Sequence, residues 1–463
     1  MTEYTSDTTI AAISTPPGSG GIGIIRISGS SALPVLQSLF QPGNPSCDFR
    51  SHHLFHGNIV DPEQQRILDE VLVVYMASPK TYTREDVVEI HCHGSFLVLQ
   101  SILELILQRG VELADPGEFT KRAFLNGRID LTKAEAVIDI LAAKTRKGVD
   151  IAQEQLAGAL YQRVEKIREA LKGMRALIEV SIDFPDEDVE IVDRESMVRR
   201  MKAEVIAPID HLLLCADQGR IYREGISVVI VGRPNVGKSS LLNALLQEER
   251  ALVTAIPGTT RDSIEEHIDV MGMPVRITDT AGIREGGDEV EALGIQRARR
   301  LLNEADIVLF MIDGADGILA EDTALFASVS HKQNILVINK TDLLHDTDRA
   351  TFIPFQKDLP RVFISAKEQH GMDALRRLLF ETVTGAKDQW QEDACAPNLR
   401  HKQNLTKAKA AADGIVAGLE MGITSDLLAV DLQECLDQLS DIVGETTTED
   451  ILDVIFEQFC LGK

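Results

Sequence analysis

Paired cysteines are the first absence. The six cysteines, Cys47, Cys92, Cys215, Cys395, Cys435 and Cys460, stand apart with no CxxC among them. That excludes a zinc ribbon and a disulfide framework, and it fits a reducing cytoplasm. No stretch approaches the ~18 uninterrupted apolar residues of a membrane span, and the opening MTEYTSDTTIAAIS lacks the basic and long apolar regions of a secretory leader. The expectation is a cytoplasmic protein with no membrane segment. Positive charge is also short: 47 Lys and Arg against 72 Asp and Glu leave a net charge of −25. Diffuse attraction to nucleic acid or to an anionic membrane is thereby excluded, so any polyanion must meet a local basic patch or a partner's surface. There is no internal repeat or low-complexity tract. The composition, 44% apolar and 26% charged, rules out wholesale disorder. The lone Trp390 and the scattered methionines suit packing or a linker better than a cofactor box.

At about 150 residues per domain, 463 residues imply roughly three domains. Residues 1–120 mix β-rich runs (Ile22–Ser28, Val71–Tyr75, Val87–Cys92) with the amphipathic stretch Phe96–Gln108, predicting a small α+β domain. From Thr132, paired with Glu135 as an expected capping box, 3.6-period segments predict a helical domain whose first part spans 121–219. Over 220–385 the apolar runs ISVVIV, VRITD, IVLFMID, NILVIN and VFIS alternate with helical patterns, which predicts a doubly wound α/β domain. Helical character returns over 386–463 in Asn398–Leu419, Ser425–Leu439 and Thr448–Phe459. The fold class expected is therefore multidomain α/β, with the α/β block inserted into a single helical domain. The acidic run Asp183–Glu195 lacks the glycine of a calcium loop and reads as a solvated connector.

The strongest chemical signal is Gly232-Arg233-Pro234-Asn235-Val236-Gly237-Lys238-Ser239, a GxxxxGK[ST] loop between an apolar strand and the helical run SLLNALL. Such a loop turns backbone N–H groups and a helix N-terminus toward phosphate, with Lys238 on the β/γ-phosphates and Ser239 on Mg²⁺. Asn235 to Ser239 and Ser240 form the expected phosphate-binding set. Guanine selectivity is read in Asn339-Lys340-Thr341-Asp342, after the strand ILVI. Asp342 would accept from the guanine N1–H and N2–H₂, donors that adenine does not present together. This element resembles the NKxD of GTPases. Ser365-Ala366-Lys367 resembles the loop that sets an N–H near guanine O6, and Asp279-Thr280-Ala281-Gly282 resembles the DxxG that orients Mg²⁺ and the γ-phosphate. Their order, each at the C-terminal end of a strand, makes chance a poor explanation.

Two departures from a Ras-like pattern stand out. Ile283 occupies the place of the water-orienting Gln, so hydrolysis is organised otherwise, with acidic candidates in Arg284–Glu291. Asn235 and the acceptor-rich segment Thr254–Asp262 leave room for an extra monovalent cation where an arginine finger would otherwise act. Near the N-terminus, Gly18–Gly23 fits GxGxxG but leads into a strand, the reverse of the dinucleotide-binding order, and is rejected as a Rossmann site. Alternation places Glu89, His91 and His93 on one strand face, which fits either a metal site or a polar face turned to solvent or a small ligand. At the C-terminus the apolar pattern runs to Phe459, anchoring a tail that presents Cys460 and Lys463.

With these elements assembled, the chain closely resembles the MnmE (TrmE) family of tRNA-modification GTPases over essentially its whole length. The carrying motifs are TPPGSGGIGIIRISG (Thr15–Gly29), PGEFTKRAFLNGRIDLTKAEA (Pro116–Ala136), IDFPDE (Ile182–Glu187), GTTRD (Gly258–Asp262), DTAGIRE and the terminal C-x-G-K. The resemblance implies a homodimer formed through N-terminal domains that bind 5-formyl-tetrahydrofolate or a related one-carbon donor, with Arg26, Glu89, Arg128 and Lys463 at folate-contacting positions. Arg128 stands where some members carry Lys, which keeps the charge but alters the hydrogen-bond geometry. It further implies K⁺ against Asn235, Thr254, Ile256 and Thr259, Mg²⁺ on Ser239 and Thr260, and a catalytic carboxylate at Glu291. Arg261, Asp262 and Arg284 fall at switch positions, and Cys460 at a position tied to modification activity. The implied process is C5 modification of the wobble uridine of certain tRNAs, jointly with a flavin (FAD)-dependent partner. The alternative from another class is a ribosome-assembly GTPase switch, which would leave the N-terminal domain unexplained.

Overall fold

The computed structural model describes residues 8–44, 48–183, 193–250, 265–279, 300–344, 346–385, 395–460 and 462–463. Packing divides the chain into two compact units. One comprises Met1–Ile138, Gln155–Ile209 and Gln403–Lys463, the other Asp139–Glu154 and Asp210–Lys402.

The first unit is built on β1 (Ile10–Ile13), β2 (Gly20–Ser28), β3 (Phe40–Pro42), β4 (His53–Asp61), β5 (Arg66–Met76), β6 (Val87–Gly94) and β7 (Glu112–Leu113), in the order β3-β4-β5-β6-β2-β1-β7. Alternation along each strand divides its two faces. Ile25, Ile27, Val73, Val88 and Ile90 pack inward against Leu36 of helix Ala32–Leu39 and Leu99, Ile102 and Ile106 of helix Phe96–Leu107. The residues between them, Arg26, Glu89 and His91, are thereby turned to the opposite face. Three of the strands were expected. β4 was not legible because HLFHGNIVD dilutes the period-two signal with His, Gly and Asn. It becomes a strand through its ladder with β5, Leu54 opposite Val74 and Gly57 opposite Val71.

Helix Leu131–Ala142 corrects the expected capping box. The Asp130 carboxylate accepts from the Lys133 N–H (3.1 Å) and from the Thr132 hydroxyl (2.5 Å), so Asp130 is the cap and Thr132 lies in the first turn. Asp at this place offers two acceptor oxygens, and it outcompetes the hydroxyl two residues further in. Helices Ala159–Asp183 and Ser425–Val443 run side by side, tied by Ser181 Oγ to Ser425 Oγ at 2.9 Å. Beyond the latter helix, Arg168 bridges Glu445 at 3.0 Å.

The second unit carries β8 (Ile226–Gly232), β9 (Glu265–Val270), β10 (Met273–Asp279), β11 (Ile307–Asp313), β12 (Gln333–Asn339) and β13 (Arg361–Phe363), in the order β13-β12-β11-β8-β10-β9. All pairings are parallel except β9 with β10. Successive connections leave β8 in opposite directions, making its C-terminal end the switch point at which such sheets bind ligands. Leu241 and Leu245 of helix Lys238–Arg250 cover one face together with Leu375 and Leu379, while Phe326 and Val329 cover the other. Burial on both faces explains the unbroken apolar runs of β8, β11 and β12. The antiparallel edge strand β9 is additional to the expected set. Its hairpin turns at Met271 and Gly272, both at positive φ (56° and 88°), as a two-residue hairpin of the primed type requires. Residues 139–154 and 210–224 belong to this unit as well, contributing Ile151 and Tyr222 to the core of the sheet.

Candidate functional sites

In the second unit, the loop after β8 closes on its own lysine. Lys238 is buried, and its Nζ donates to the carbonyls of Gly232 (3.0 Å) and Arg233 (2.8 Å), so the ammonium is held within the loop. Asn235 adopts φ +64° and Gly237 φ +99°, the left-handed turns that curl the backbone around a phosphate-sized space. A Cβ on Gly237 would lie 2.3 Å from Asn339 Nδ2, so only glycine fits there. Ser239 and Ser240 lie exposed on the first turn of the helix.

Asn339, at the end of β12, joins the two halves of the site. Its Nδ2 donates to the Val236 carbonyl at 2.8 Å, and its Oδ1 accepts from the Ala366 N–H at 3.0 Å. One buried side chain thus fixes the distance between the phosphate loop and the Ser365–Lys367 loop. Lys340 takes φ +62° and pairs with Asp313 at 2.5 Å. Asp342 Oδ1 accepts from the Ser365 hydroxyl at 2.6 Å. That hydrogen bond, reinforced by its own backbone and by the charges of Lys367 and Lys340, holds the Asp342 carboxyl below the usual range. The Lys367 side chain itself is exposed. A buried cation in the loop, a glycine that admits no Cβ and an ionised acceptor beyond Asn339 together fit a guanine nucleotide with its phosphates over β8.

Sequence reasoning missed the brace behind the loop. Arg233 Nε donates to Asp322 Oδ1 at 2.7 Å, and Asp322, fully buried, caps helix Ala320–Val329 by accepting from the Leu319 N–H at 3.0 Å. Nothing in the spacing of 89 residues signals this pair. Asp279 ends β10 at the same end of the sheet. Thr254, Ile256, Thr259, Thr260, Arg261, Asp262, Gly282, Ile283, Arg284, Glu291, Trp390 and Cys47 lie outside the described residues.

In the first unit a second constellation forms on the outer face of the N-terminal sheet. Arg26 on β2 stands opposite Glu89 on β6, and its Nε and Nη2 reach Glu89 Oε1 at 2.9 and 2.8 Å. The C-terminal tail comes to the same place. Ser14 Oγ donates to the Gly462 carbonyl at 3.1 Å, Arg26 Nη1 contacts that carbonyl at 3.4 Å, and the Phe119 N–H donates to the Lys463 oxygen at 3.2 Å. Gly462 needs to be glycine: φ is +84° and a Cβ would meet the Ile13 carbonyl at 2.5 Å. Arg26 lies over the Phe119 ring (5.7 Å) and Arg128 over the Tyr82 ring (4.8 Å), two aromatics of one small cluster. The structure therefore gathers Arg26, Glu89 and the tail carrying Lys463 directly, with Arg128 alongside through Tyr82. Two guanidinium groups and one carboxylate suit a polar heterocycle with an anionic tail.

His93 is committed elsewhere: its Nδ1 meets Asp69 Oδ1 at 2.6 Å, a hydrogen bond to a charged carboxylate that raises the imidazole pKa, and its backbone N–H donates to Oδ2 at 2.8 Å. Among the described residues no group of three or more His, Cys, Asp or Glu is placed to hold a metal, so the polar-face reading of Glu89, His91 and His93 fits better. Cys460 is exposed, whereas burial pushes the thiols of Cys92 and Cys435 up to about 12. No described helix is long and apolar enough to cross a membrane.

Comparison with known proteins adds a consistent picture. A family profile described as GTP-binding protein TrmE N-terminus matches residues 9–128, and one described as MnmE helical domain matches residues 131–460. The tRNA modification GTPase MnmE of Desulfotalea psychrophila is 61% identical over 466 residues, covering 99% of both chains. The protein of the same name from a Thermoanaerobacter species is 46% identical over 457 residues, covering 98% of this chain and 99% of that one. Among solved structures, Era in complex with MgGDPNP and nucleotides 1506–1542 of 16S ribosomal RNA is 28% identical, with a TM-score of 0.29 over 40% of this chain and 66% of that one.

Proposed function

The chain belongs to the MnmE (TrmE) family of tRNA modification GTPases, and from that premise we propose how its two sites divide the work. It is a GTP hydrolase acting in tRNA modification. The single observation that supports the nucleotide assignment best is Asn339, which ties the phosphate loop to the guanine loop in one hydrogen-bonded unit.

In this reading Lys238 would neutralise the β- and γ-phosphates, Ser239 and Thr260 would hold Mg²⁺, Asp279 and Gly282 would supply the DxxG element, and Asp342 with the Ala366 N–H would read guanine. Asn235, Thr254, Ile256 and Thr259 would hold K⁺, whose charge would stand in for that of an arginine finger. Glu291 positions water. Two copies of the chain pair their GTPase domains, and GTP turnover opens and closes them.

The N-terminal constellation binds 5-formyl-tetrahydrofolate or a related folate as the one-carbon donor, Glu89 taking the N–H edge of the pterin and Arg26, Arg128 and Lys463 the anionic side. Cys460 lies close to that site along the chain and takes part in the modification. The product is a C5 carboxymethylaminomethyl-type group on the wobble uridine of certain tRNAs, made in the cytoplasm with an FAD-dependent partner. The net charge of −25 accords with a partner that supplies much of the tRNA-binding surface.

The test is reconstitution: the purified chain, the flavin partner, reduced nicotinamide, GTP, MgCl₂, KCl, the folate and either glycine or ammonium as nitrogen source are incubated with unmodified tRNA, and the nucleosides are analysed by mass spectrometry. The reading predicts a C5-modified uridine that disappears when Lys238→Ala or Glu89→Ala replaces the wild type. Modification that persists in both variants would overturn it.

A further inference from the structure

Beside the Arg26–Glu89 pair lies a polar atom with no protein partner. His91 follows Glu89 on the outer face of β6, flanked in register by Ile24 on β2 and Leu72 on β5. Its Nε2 is shielded from solvent and makes no hydrogen bond. Such orphaned nitrogens are uncommon, and each calls for a physical reason. Glu89 Oε2 lies 3.6 Å away, too far for a hydrogen bond. Both contacts from Arg26 fall on the other oxygen, Oε1, so Oε2 also accepts no hydrogen bond from a described residue. The site therefore presents two unused positions side by side: a carboxylate oxygen that can only accept, and an imidazole nitrogen that donates when its tautomer carries the proton on Nε2.

A donor next to an acceptor complements a cyclic amide edge, N–H beside C=O. A carboxylate alone reads only the N–H; the carbonyl beside it needs a donor of its own. Resting on the reading of this cluster as the folate site, we propose that His91 is a further binding residue and sets its specificity, with Nε2 donating to the 4-oxo group of the pterin while Glu89 Oε2 accepts from the adjacent ring N–H. A 4-amino pterin presents a donor where the 4-oxo form presents an acceptor, and it leaves the Nε2 proton facing another N–H. The orphaned nitrogen is then the part of the site that tells a 4-oxo from a 4-amino substituent.

The experiment is equilibrium binding to the full chain, by calorimetry, of 5-formyl-tetrahydrofolate and of a 4-amino folate analogue, using wild type, His91→Leu, His91→Gln and Glu89→Ala. Wild type should prefer the 4-oxo ligand. His91→Leu should weaken that ligand about tenfold and narrow the preference, while His91→Gln, whose amide still donates, should restore most of both. Unchanged thermal unfolding of His91→Leu separates the effect from misfolding. A His91→Leu protein with wild-type affinity and an unchanged 4-oxo to 4-amino ratio overturns the assignment of His91 and leaves the folate site standing. A wild-type chain that binds neither ligand overturns the folate reading itself, and the His91 assignment falls with it.

Discussion

The Ser14 hydroxyl donates to the Gly462 carbonyl across 3.1 Å, joining residues 448 apart in sequence and fastening the tail beside the Arg26–Glu89 pair. The contact depends on a backbone that only glycine adopts without strain. Gly462→Ala would face both the left-handed φ of +84° and a Cβ 2.5 Å from the Ile13 carbonyl. The φ alone costs about 1 kcal/mol. The variant should release the tail, shown by faster carboxypeptidase trimming and weaker folate binding, with GDP affinity unchanged. A tail as resistant as the wild type's would contradict the docking.

Asp342→Asn replaces an acceptor-only group by one acceptor and one donor. Guanine then loses a hydrogen bond at its N2–H₂, while xanthine, with an oxygen at that position, gains one. GTP affinity should fall by about a hundredfold or more and xanthosine triphosphate should become the better ligand. Nucleotide competition measures it directly, and a variant that still prefers GTP would contradict the role of Asp342.

The same carboxyl predicts a pH dependence. The Ser365 hydroxyl, first among the causes, lowers the Asp342 pKa. The ionised form is thus favoured in the folded chain, and its contribution is complete at neutral pH and lost only as pH falls through the lowered value, beneath the ordinary range near ~4. Ser365→Ala should move the acid limb of GDP binding to higher pH. An unmoved limb would show that the hydroxyl does not hold the carboxylate.

Asp322 is fully buried against Arg233, which is itself largely covered. Asp322→Ala removes a helix cap and leaves Arg233 with only the longer, exposed pairing to Asp316 (3.7 Å), so a loss of about 2 kcal/mol is expected, together with weaker nucleotide binding through the displaced loop. Urea unfolding of the full chain followed by a nucleotide-bound fluorophore would report both. A variant as stable as the wild type would contradict the brace.

How much of this was legible beforehand differs from site to site. The phosphate loop could be read because Gly, Lys and Ser are required at fixed spacing and its flanking strand and helix carry unmistakable periodicity. Asn339 was legible as a guanine-loop residue, whereas its bond to Val236 was not, since no local pattern encodes a contact across 103 residues. Thr132 was misread as a cap because a hydroxyl before Glu135 satisfies the motif, although Asp130 accepts the Lys133 N–H. The docking of the tail on Ser14 and Phe119 was invisible for the same reason as the Asn339 bond. The apolar pattern up to Phe459 showed that the tail is anchored, but not against which residues.

Thiol reactivity checks the burial of the cysteines. With Cys47→Ser as background, Cys460 is the exposed cysteine among those described, while Cys92 and Cys435 have thiols raised to about 12 by burial. At pH 8 one thiol should label quickly, the others only on unfolding. Rapid labelling that survives Cys460→Ser would contradict the burial of the rest.

The central claim, a GTPase that uses a monovalent cation in place of an arginine finger, is tested most directly by steady-state GTP hydrolysis in KCl against NaCl at matched ionic strength, with Glu291→Ala and Asn235→Ala alongside. The account predicts a rate raised strongly by K⁺ and lost in both variants. Equal rates in the two salts would contradict it.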